Sequence, residues 1–245
     1  MSSEWQRAIP QRFSLAGVRF ATHVDLGCGS LPRNPLAAEK VIGVDISTQP
    51  TFEVKNGILE YKQVIPGFPL PFESNQIQSI SAFDFLEHLP RSDRLPNGDY
   101  TNPFINIMNE IYRILEPGGI FIALTPCYPS EAAFTDPTHV NFISETTHLY
   151  FSGPNFARVK DYGFTGEFRT LEAVWSDWSG NLWQSYAIQN AQIKISRKVK
   201  MIDFLEKVFR NFKFKVRKAL LGHSGETHFL WVLQKPEVVT RSLDT

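Results

Sequence analysis

The segment His23-Val-Asp-Leu-Gly-Cys-Gly-Ser30 constrains this chain more than any other. Phe20, Val24 and Leu26 give the apolar run of a buried parallel strand. Gly27 and Gly29 follow it, where a tight turn needs small residues and lets a ligand lie on bare backbone. Twenty residues after Asp25, a second apolar run, Val41-Ile42-Gly43-Val44, ends in Asp45. An acid at the carboxyl end of a second strand can accept both hydroxyl hydrogens of a ribose. Strand, glycine loop and acid in this spacing predict an α/β chain that holds a nucleoside cofactor at the edge of its sheet.

Asp25, Leu26, Gly27, Cys28 and Gly29 resemble the first motif of the class I S-adenosylmethionine-dependent methyltransferases: an acid, a hydrophobic residue, then Gly-x-Gly. Two more segments agree in order. Ile80-Ser-Ala-Phe-Asp-Phe-Leu-Glu-His-Leu89 looks like the family's fourth strand and its Leu-Glu-His turn, and Glu110-Ile-Tyr-Arg-Ile-Leu-Glu-Pro-Gly-Gly119 like the helix and turn before strand five. The resemblance covers roughly residues 20 to 130. It implies a Rossmann-like, doubly wound seven-stranded sheet, mostly parallel with an antiparallel last strand, and S-adenosyl-L-methionine as cofactor. It also implies that Gly27 to Gly29, including Cys28, hold the methionine part, that Asp45 holds the ribose, that Asp25 belongs to the cofactor site, and that Phe68 covers the adenine or Phe83 faces the cofactor. There are departures. Leu31 stands where the third glycine is usual, and Ser30-Leu-Pro-Arg-Asn-Pro35 leaves little room for a long first helix. A dinucleotide enzyme is the competing reading, but these departures remove the usual anchor for a pyrophosphate.

Alternating apolar runs predict strands near 20 to 25, 40 to 46, 59 to 64, 77 to 84 and 119 to 125, with a last pair near 168 to 175 and 227 to 233. Asn102, with Pro103 in the first turn, starts the clearest helix, whose apolar face is Phe104, Ile107, Met108, Ile111 and Leu115; Pro117-Gly118-Gly119 stops it. Ser152-Gly-Pro-Asn reads as another helix start. The 245 residues, 42% hydrophobic, suffice for a single domain spanning 1–245. Two cysteines, Cys28 and Cys127, build neither a disulfide framework nor a zinc quartet. No signal-type apolar core or bilayer-length run is present, so a cytoplasmic enzyme is expected.

In an open α/β sheet the acceptor sits beyond the strands' carboxyl ends. The segments Thr125-Pro-Cys-Tyr-Pro-Ser130 and Asp136-Pro-Thr-His-Val-Asn-Phe142 fall there. Methyl transfer to a hydroxyl needs the oxygen aligned with the sulfonium methyl and one proton removed, which suits a histidine. His139, oriented or made more basic by Asp136, is the first candidate, with His88 and His148 in reserve. Asp84, Glu87 and His88 have a spacing that could hold a divalent cation, but such turns commonly serve hydrogen bonding, so no metal is expected. The run Ala133 to His148 resembles bacterial methyltransferases of surface-polysaccharide and O-antigen assembly. That implies O-methylation of a sugar, on which Trp175, Trp178 or Trp183 could stack. A small-metabolite methyltransferase and a non-catalytic cofactor-binding recruitment module are the alternatives.

Lysines and arginines 194, 197, 198, 200, 207, 210, 213, 215, 217 and 218 face only Asp203 and Glu206, a local charge of about +8 in a chain of net charge zero. Met201, Leu205, Val208, Phe212 and Val216 recur at helical spacing, which predicts a basic amphipathic helix inserted over 179–224. Docking on its own domain and contact with an anionic membrane on the cytoplasmic side are both open for it. Nucleic acid is disfavoured because no reading module accompanies the charge. Homodimerisation is left open.

Overall fold

The computed structural model describes residues 18–30, 32–47, 52–54, 57–64, 69–153, 160–176 and 226–237. The basic stretch 194–220, Phe68, Trp178, Trp183 and the body of the helix expected after Ser152 lie outside the described residues.

The strands are β1 (Thr22–Leu26), β2 (Lys40–Asp45), β3 (Phe52–Val54), β4 (Gly57–Gln63), β5 (Ile77–Phe83), β6 (Asp93–Arg94), β7 (Tyr100–Thr101), β8 (Leu115–Tyr128), β9 (Ile143–Ser144), β10 (Arg169–Ser176) and β11 (His228–Gln234). The helices are α1 (Pro103–Ile114), α2 (Ala132–Thr135) and α3 (Leu149–Ser152), and a 3-10 turn spans Leu86–His88. The main sheet runs β10-β11-β8-β5-β1-β2-β4-β3. β8, β5, β1, β2 and β4 are mutually parallel, and β11 runs antiparallel between β8 and β10. This is the expected seven-stranded, doubly wound sheet, extended by β3 at one edge and by β9, which pairs with the end of β8.

The central strands are buried on both faces, as parallel strands require. Their side chains alternate between two cores. Phe121 and Ala123 of β8 join Val24, Leu26, Ile80 and α1 in one. Ile120, Ile122 and Leu124 join Phe20, Leu36, Phe83 and Val232 in the other. Helix α1 supplies Phe104, Ile105, Met108, Ile111 and Ile114 to the first core. Fully burying one such side chain is worth about 1.5–3 kcal/mol.

Asn102 caps α1 as the sequence predicts: its Oδ1 accepts the Ile105 N–H at 3.0 Å, an interaction of about 1 kcal/mol. The helix ends at Ile114, before Pro117, and Leu115, expected on the helical face, opens β8 instead. Lys235, just beyond β11, donates to the carbonyls of Tyr112 and Leu115, each at 2.8 Å. A cation at a helix C-terminus satisfies carbonyls that have no partner within the helix.

Between β1 and β2 the described chain forms turns and no α-helix, as Ser30 to Pro35 predicted. Asn34 closes that segment on itself, its side chain exchanging hydrogen bonds with the N–H and carbonyl of Ala38. No helix among the described residues is long and apolar enough to cross a membrane.

Candidate active site

The carboxyl ends of β1, β2, β5 and β8 converge on the glycine loop. Gly27 and Gly29 both adopt left-handed backbone, φ +64° and +57°, where L side chains are strained. They differ in surroundings. A Cβ on Gly27 would lie 2.5 Å from Cδ2 of Phe85, whereas nothing lies within 4 Å of one on Gly29. The loop is therefore closed inward at Gly27 and open at Gly29. The N–H of Gly29 donates to Asp45 Oδ2 at 2.8 Å, while Asp45 Oδ1 accepts from the Ser47 N–H and hydroxyl. Partial burial works to raise the Asp45 pKa, but the hydrogen bonds from Ser47 and Gly29 outweigh it and hold the carboxyl below its ordinary value. Asp45 is thus a preorganised anion whose remaining acceptor capacity lies on Oδ2, which takes the Gly29 N–H.

Asp25 is fully buried and turned toward the protein. Oδ2 accepts the Arg33 N–H at 2.8 Å, and Oδ1 accepts a short hydrogen bond from the Ser81 hydroxyl. His23 continues the chain, Nε2 on Ser81 Oγ and Nδ1 on Ser79 Oγ. The parallel register of β1 and β5 sets His23 against Ser79 and Asp25 against Ser81, which places all four groups in one buried row. Burial pushes Asp25 up to about 6, against the charge of Arg33, and drives His23 down to about 3. Sequence reading missed this row. The signal was present: two serines at alternate positions in an otherwise apolar strand.

Besides Asp25, two further expected cofactor residues turn their side chains into the protein. Phe83 is buried in the second core with the Arg33 guanidinium 5.2 Å from its ring centroid. Strand alternation puts its ring in that layer. Cys28 turns its sulfur inward, 2.7 Å from where a Cβ on Gly43 would sit, and burial raises its thiol pKa strongly. Cys28 can serve a ligand through its backbone, not its thiol.

The turn after β5 and the loop after β8 are fastened together. The Glu87 carbonyl accepts the N–H groups of Val140 and Asn141, both at 2.9 Å. Asn141 Nδ2 donates to the Leu86 carbonyl at 3.0 Å, and Arg91 donates to Asn141 Oδ1 and to the Phe142 carbonyl. This brings His139 to Glu87 and His88. His139 Nε2 lies 4.0 Å from Glu87 Oε1, and the two imidazoles meet edge to face at 5.0 Å. Burial lifts the Glu87 pKa to about 8; Glu87 Oε2 accepts the Thr125 hydroxyl at 3.1 Å.

Asp136 does not hold His139 as expected. Its Oδ1 accepts from the N–H and hydroxyl of Thr138, and its Oδ2 is 3.9 Å from His139 Nε2, beyond hydrogen-bond reach. His139 is held instead through Nδ1, 3.2 Å from the Ala133 carbonyl. The Asp84, Glu87, His88 trio is not assembled either. Asp84, at φ +50°, turns to His228 at the start of β11, Oδ1 to Nε2 3.2 Å, and His228 Nδ1 meets Thr227 Oγ1. His148 is buried against Phe229 and Trp231, and burial lowers its pKa.

The loop that carries His139 also carries exposed aromatics. Tyr128, Phe134 and Phe142 are 58%, 51% and 49% exposed. Phe134 stacks on Phe142 with centroids 4.8 Å apart and meets Tyr128 edge to face. Trp175, by contrast, is half-buried against Phe229 and donates its Nε1–H to Glu145.

The family described as "Methyltransferase domain" matches residues 24–123, a span that runs from β1 through the glycine loop, Asp45 and the turn after β5 into β8. Among solved structures, a Haloferax volcanii methyltransferase captured with the Trm112 methyltransferase activator is similar at 14% identity over 95% of this chain and 94% of that one, with a TM-score of 0.50. A SAM-dependent methyltransferase from Archaeoglobus fulgidus is similar at 14% identity over 94% of each chain, with a TM-score of 0.45. No match was found among proteins of curated function. Residues 24–123 thus form a methyltransferase domain, whose cofactor is S-adenosylmethionine and which acts on an acceptor substrate.

Proposed function

We propose that the methyl group goes to a sugar hydroxyl, on a bacterial surface glycan or its lipid-linked precursor. The half-exposed aromatic cluster of Tyr128, Phe134 and Phe142 carries this reading, since exposed aromatic surface suits the apolar faces of a sugar. Phe134 and Phe142 stand on the same loop as His139, next to Glu87, and Tyr128 stands at the end of β8, so a stacked sugar would lie beside the groups that can activate its hydroxyl. The acceptor oxygen attacks the methyl carbon in line with the sulfonium. A C–O bond forms, the C–S bond breaks to release S-adenosylhomocysteine, and the hydroxyl proton leaves at the Glu87 and His139 corner.

Asp45 would hold the cofactor ribose, and the open side of Gly29 its methionine end. Peripheral contact with an anionic membrane through 194–220 is part of the proposal, since its charge of about +8 suits a lipid-linked acceptor.

The test is transfer of labelled methyl to a panel of monosaccharides, lipid-linked saccharides and small non-sugar metabolites. Label on a sugar oxygen is expected, with Phe134→Ser and Phe142→Ser each raising the acceptor KM while affinity for S-adenosylhomocysteine holds. Label only on non-sugar metabolites would remove the carbohydrate reading.

A further inference from the structure

Both imidazoles at the Glu87 corner are tied down by Nδ1. His139 Nδ1 lies 3.2 Å from the Ala133 carbonyl; His88 Nδ1 lies 3.3 Å from the Thr138 carbonyl and 3.1 Å from its hydroxyl oxygen. A carbonyl can only accept, so each neutral ring carries its proton on Nδ1 and keeps a bare lone pair on Nε2. Glu87 adds a third electron-pair donor. Its Oε2 is taken by Thr125, but Oε1, on a side chain 1% exposed as a residue, has no hydrogen-bond partner and sits 4.0 Å from His139 Nε2. One ligand atom from each of Glu87, His88 and His139 lies within 4.8 Å of the others.

The buried Glu87 Oε1 has no hydrogen-bond partner beside His139 Nε2, and a bound cation would satisfy it together with the imidazoles. We propose that Glu87, His88 and His139 bind a divalent transition-metal cation, and that Asp84, paired with His228, takes no part. Two imidazoles and one carboxylate with open positions is a donor set such ions favour. The Nδ1–H to carbonyl bonds are the outer contacts that orient metal-binding histidines and fix their tautomer. Ligand bonds of about 2.1 Å bring donor atoms to about 3–3.5 Å from one another. The 4.0 Å gap between Glu87 and His139 therefore closes by about 0.5–1 Å on binding. Asp136, with Oδ2 3.9 Å from His139 Nε2, adds negative charge at the rim.

What the cation does rests on the O-methylation reading above. An acceptor hydroxyl bound at its open position becomes more acidic. That oxygen then takes the methyl, and its proton passes to water beside the exposed Asp136. With the cation in place, His139 is a ligand and not the proton acceptor.

The experiment is titration of the full chain, without an affinity tag and stripped with EDTA, with Mn²⁺ by electron paramagnetic resonance and Co²⁺ by visible absorption. One saturable cation per chain is expected, and His88→Ala and His139→Ala should each weaken it more than about tenfold. Affinity for S-adenosylhomocysteine should stay unchanged in both, which shows that the variants are folded. Absence of saturable binding up to about 1 mM of either cation, or equal affinity in wild type and variants, overturns the site. Cation binding without any labelled glycan would leave the site standing and remove the acceptor reading. Glycan labelling by a chain that binds no cation would do the reverse.

Discussion

Adding one methyl group at Gly27 or at Gly29 should separate the folding role of the glycine loop from its binding role. Both residues sit at positive φ, so alanine at either costs about 1–2 kcal/mol in backbone strain. At Gly27 the new Cβ also overlaps the Phe85 ring, with Cδ2, Cγ and Cβ at 2.5, 2.9 and 3.0 Å. Overpacking of that kind adds about 1–3 kcal/mol. Gly27→Ala should therefore lose about 2–5 kcal/mol, roughly 5–15 °C in Tm for a domain of this size. Gly29→Ala has no atom within 4 Å of its Cβ and should lose only the strain. Its methyl points into the open side of the loop, so its effect should appear as a loss of S-adenosylhomocysteine affinity of about tenfold or more. Thermal unfolding and calorimetric titration read the two effects separately, and Phe85→Ala in the Gly27→Ala background isolates the clash. Equal destabilisation by both alanines would refute the packing argument, as would additivity of Gly27→Ala with Phe85→Ala. Full affinity in Gly29→Ala would refute the cofactor placement.

Asp45→Ala should weaken S-adenosylhomocysteine by about 10- to 100-fold, since hydrogen bonds to a charged group are worth about 1.5–3 kcal/mol; an unchanged affinity in the same titration would show that the ribose lies elsewhere. The buried row predicts a pH dependence. His23 stays neutral when folded down to about 3 but takes a proton near 6.5 when unfolded, so stability falls as pH drops across that window. Asp25 works in the opposite direction, because the folded state takes a proton at about 6 and the unfolded state only near 3.8, so stability rises as pH falls between those values. The histidine is displaced further and should dominate. His23→Gln should flatten the acid limb of a urea-unfolding series, and superimposable limbs would show that His23 does not carry it.

The main strands were legible because each is rich in apolar residues, with β1, β2, β5, β8 and β11 largely buried and β4 and β10 toward the edges only partly so, and the capped start of α1 was legible because Asn102 and Pro103 act locally. Strands β3, β6, β7 and β9 were not, since two or three residues carry no period and their pairing is decided by tertiary neighbours. The site divides the same way. Gly27, Gly29 and Asp45 form a local spacing and are found where that spacing puts them. The Glu87 corner joins two loops distant in sequence, and nothing in Asp84-Phe-Leu-Glu-His88 tells which acid turns inward; packing sends Asp84 to His228 and Glu87 to His139. Sequence likewise counts aromatics without showing exposure, which is why Trp175 drew attention and the stacked Phe134 and Phe142 did not.

The fastening of the loop after β8 to the turn after β5 has a consequence for how such an enzyme diversifies. The path of that loop is held by main-chain groups of Glu87, Leu86 and Phe142 and by two side chains, Asn141 and Arg91. The solvent-facing residues Phe134, Val140 and Phe142 are not among the side chains that hold it. They can be exchanged without rerouting the backbone, so under the sugar-stacking proposal acceptor preference is free to drift, or to be redesigned, one surface residue at a time, while Asn141 and Arg91 are the positions at which change would unsettle the whole loop.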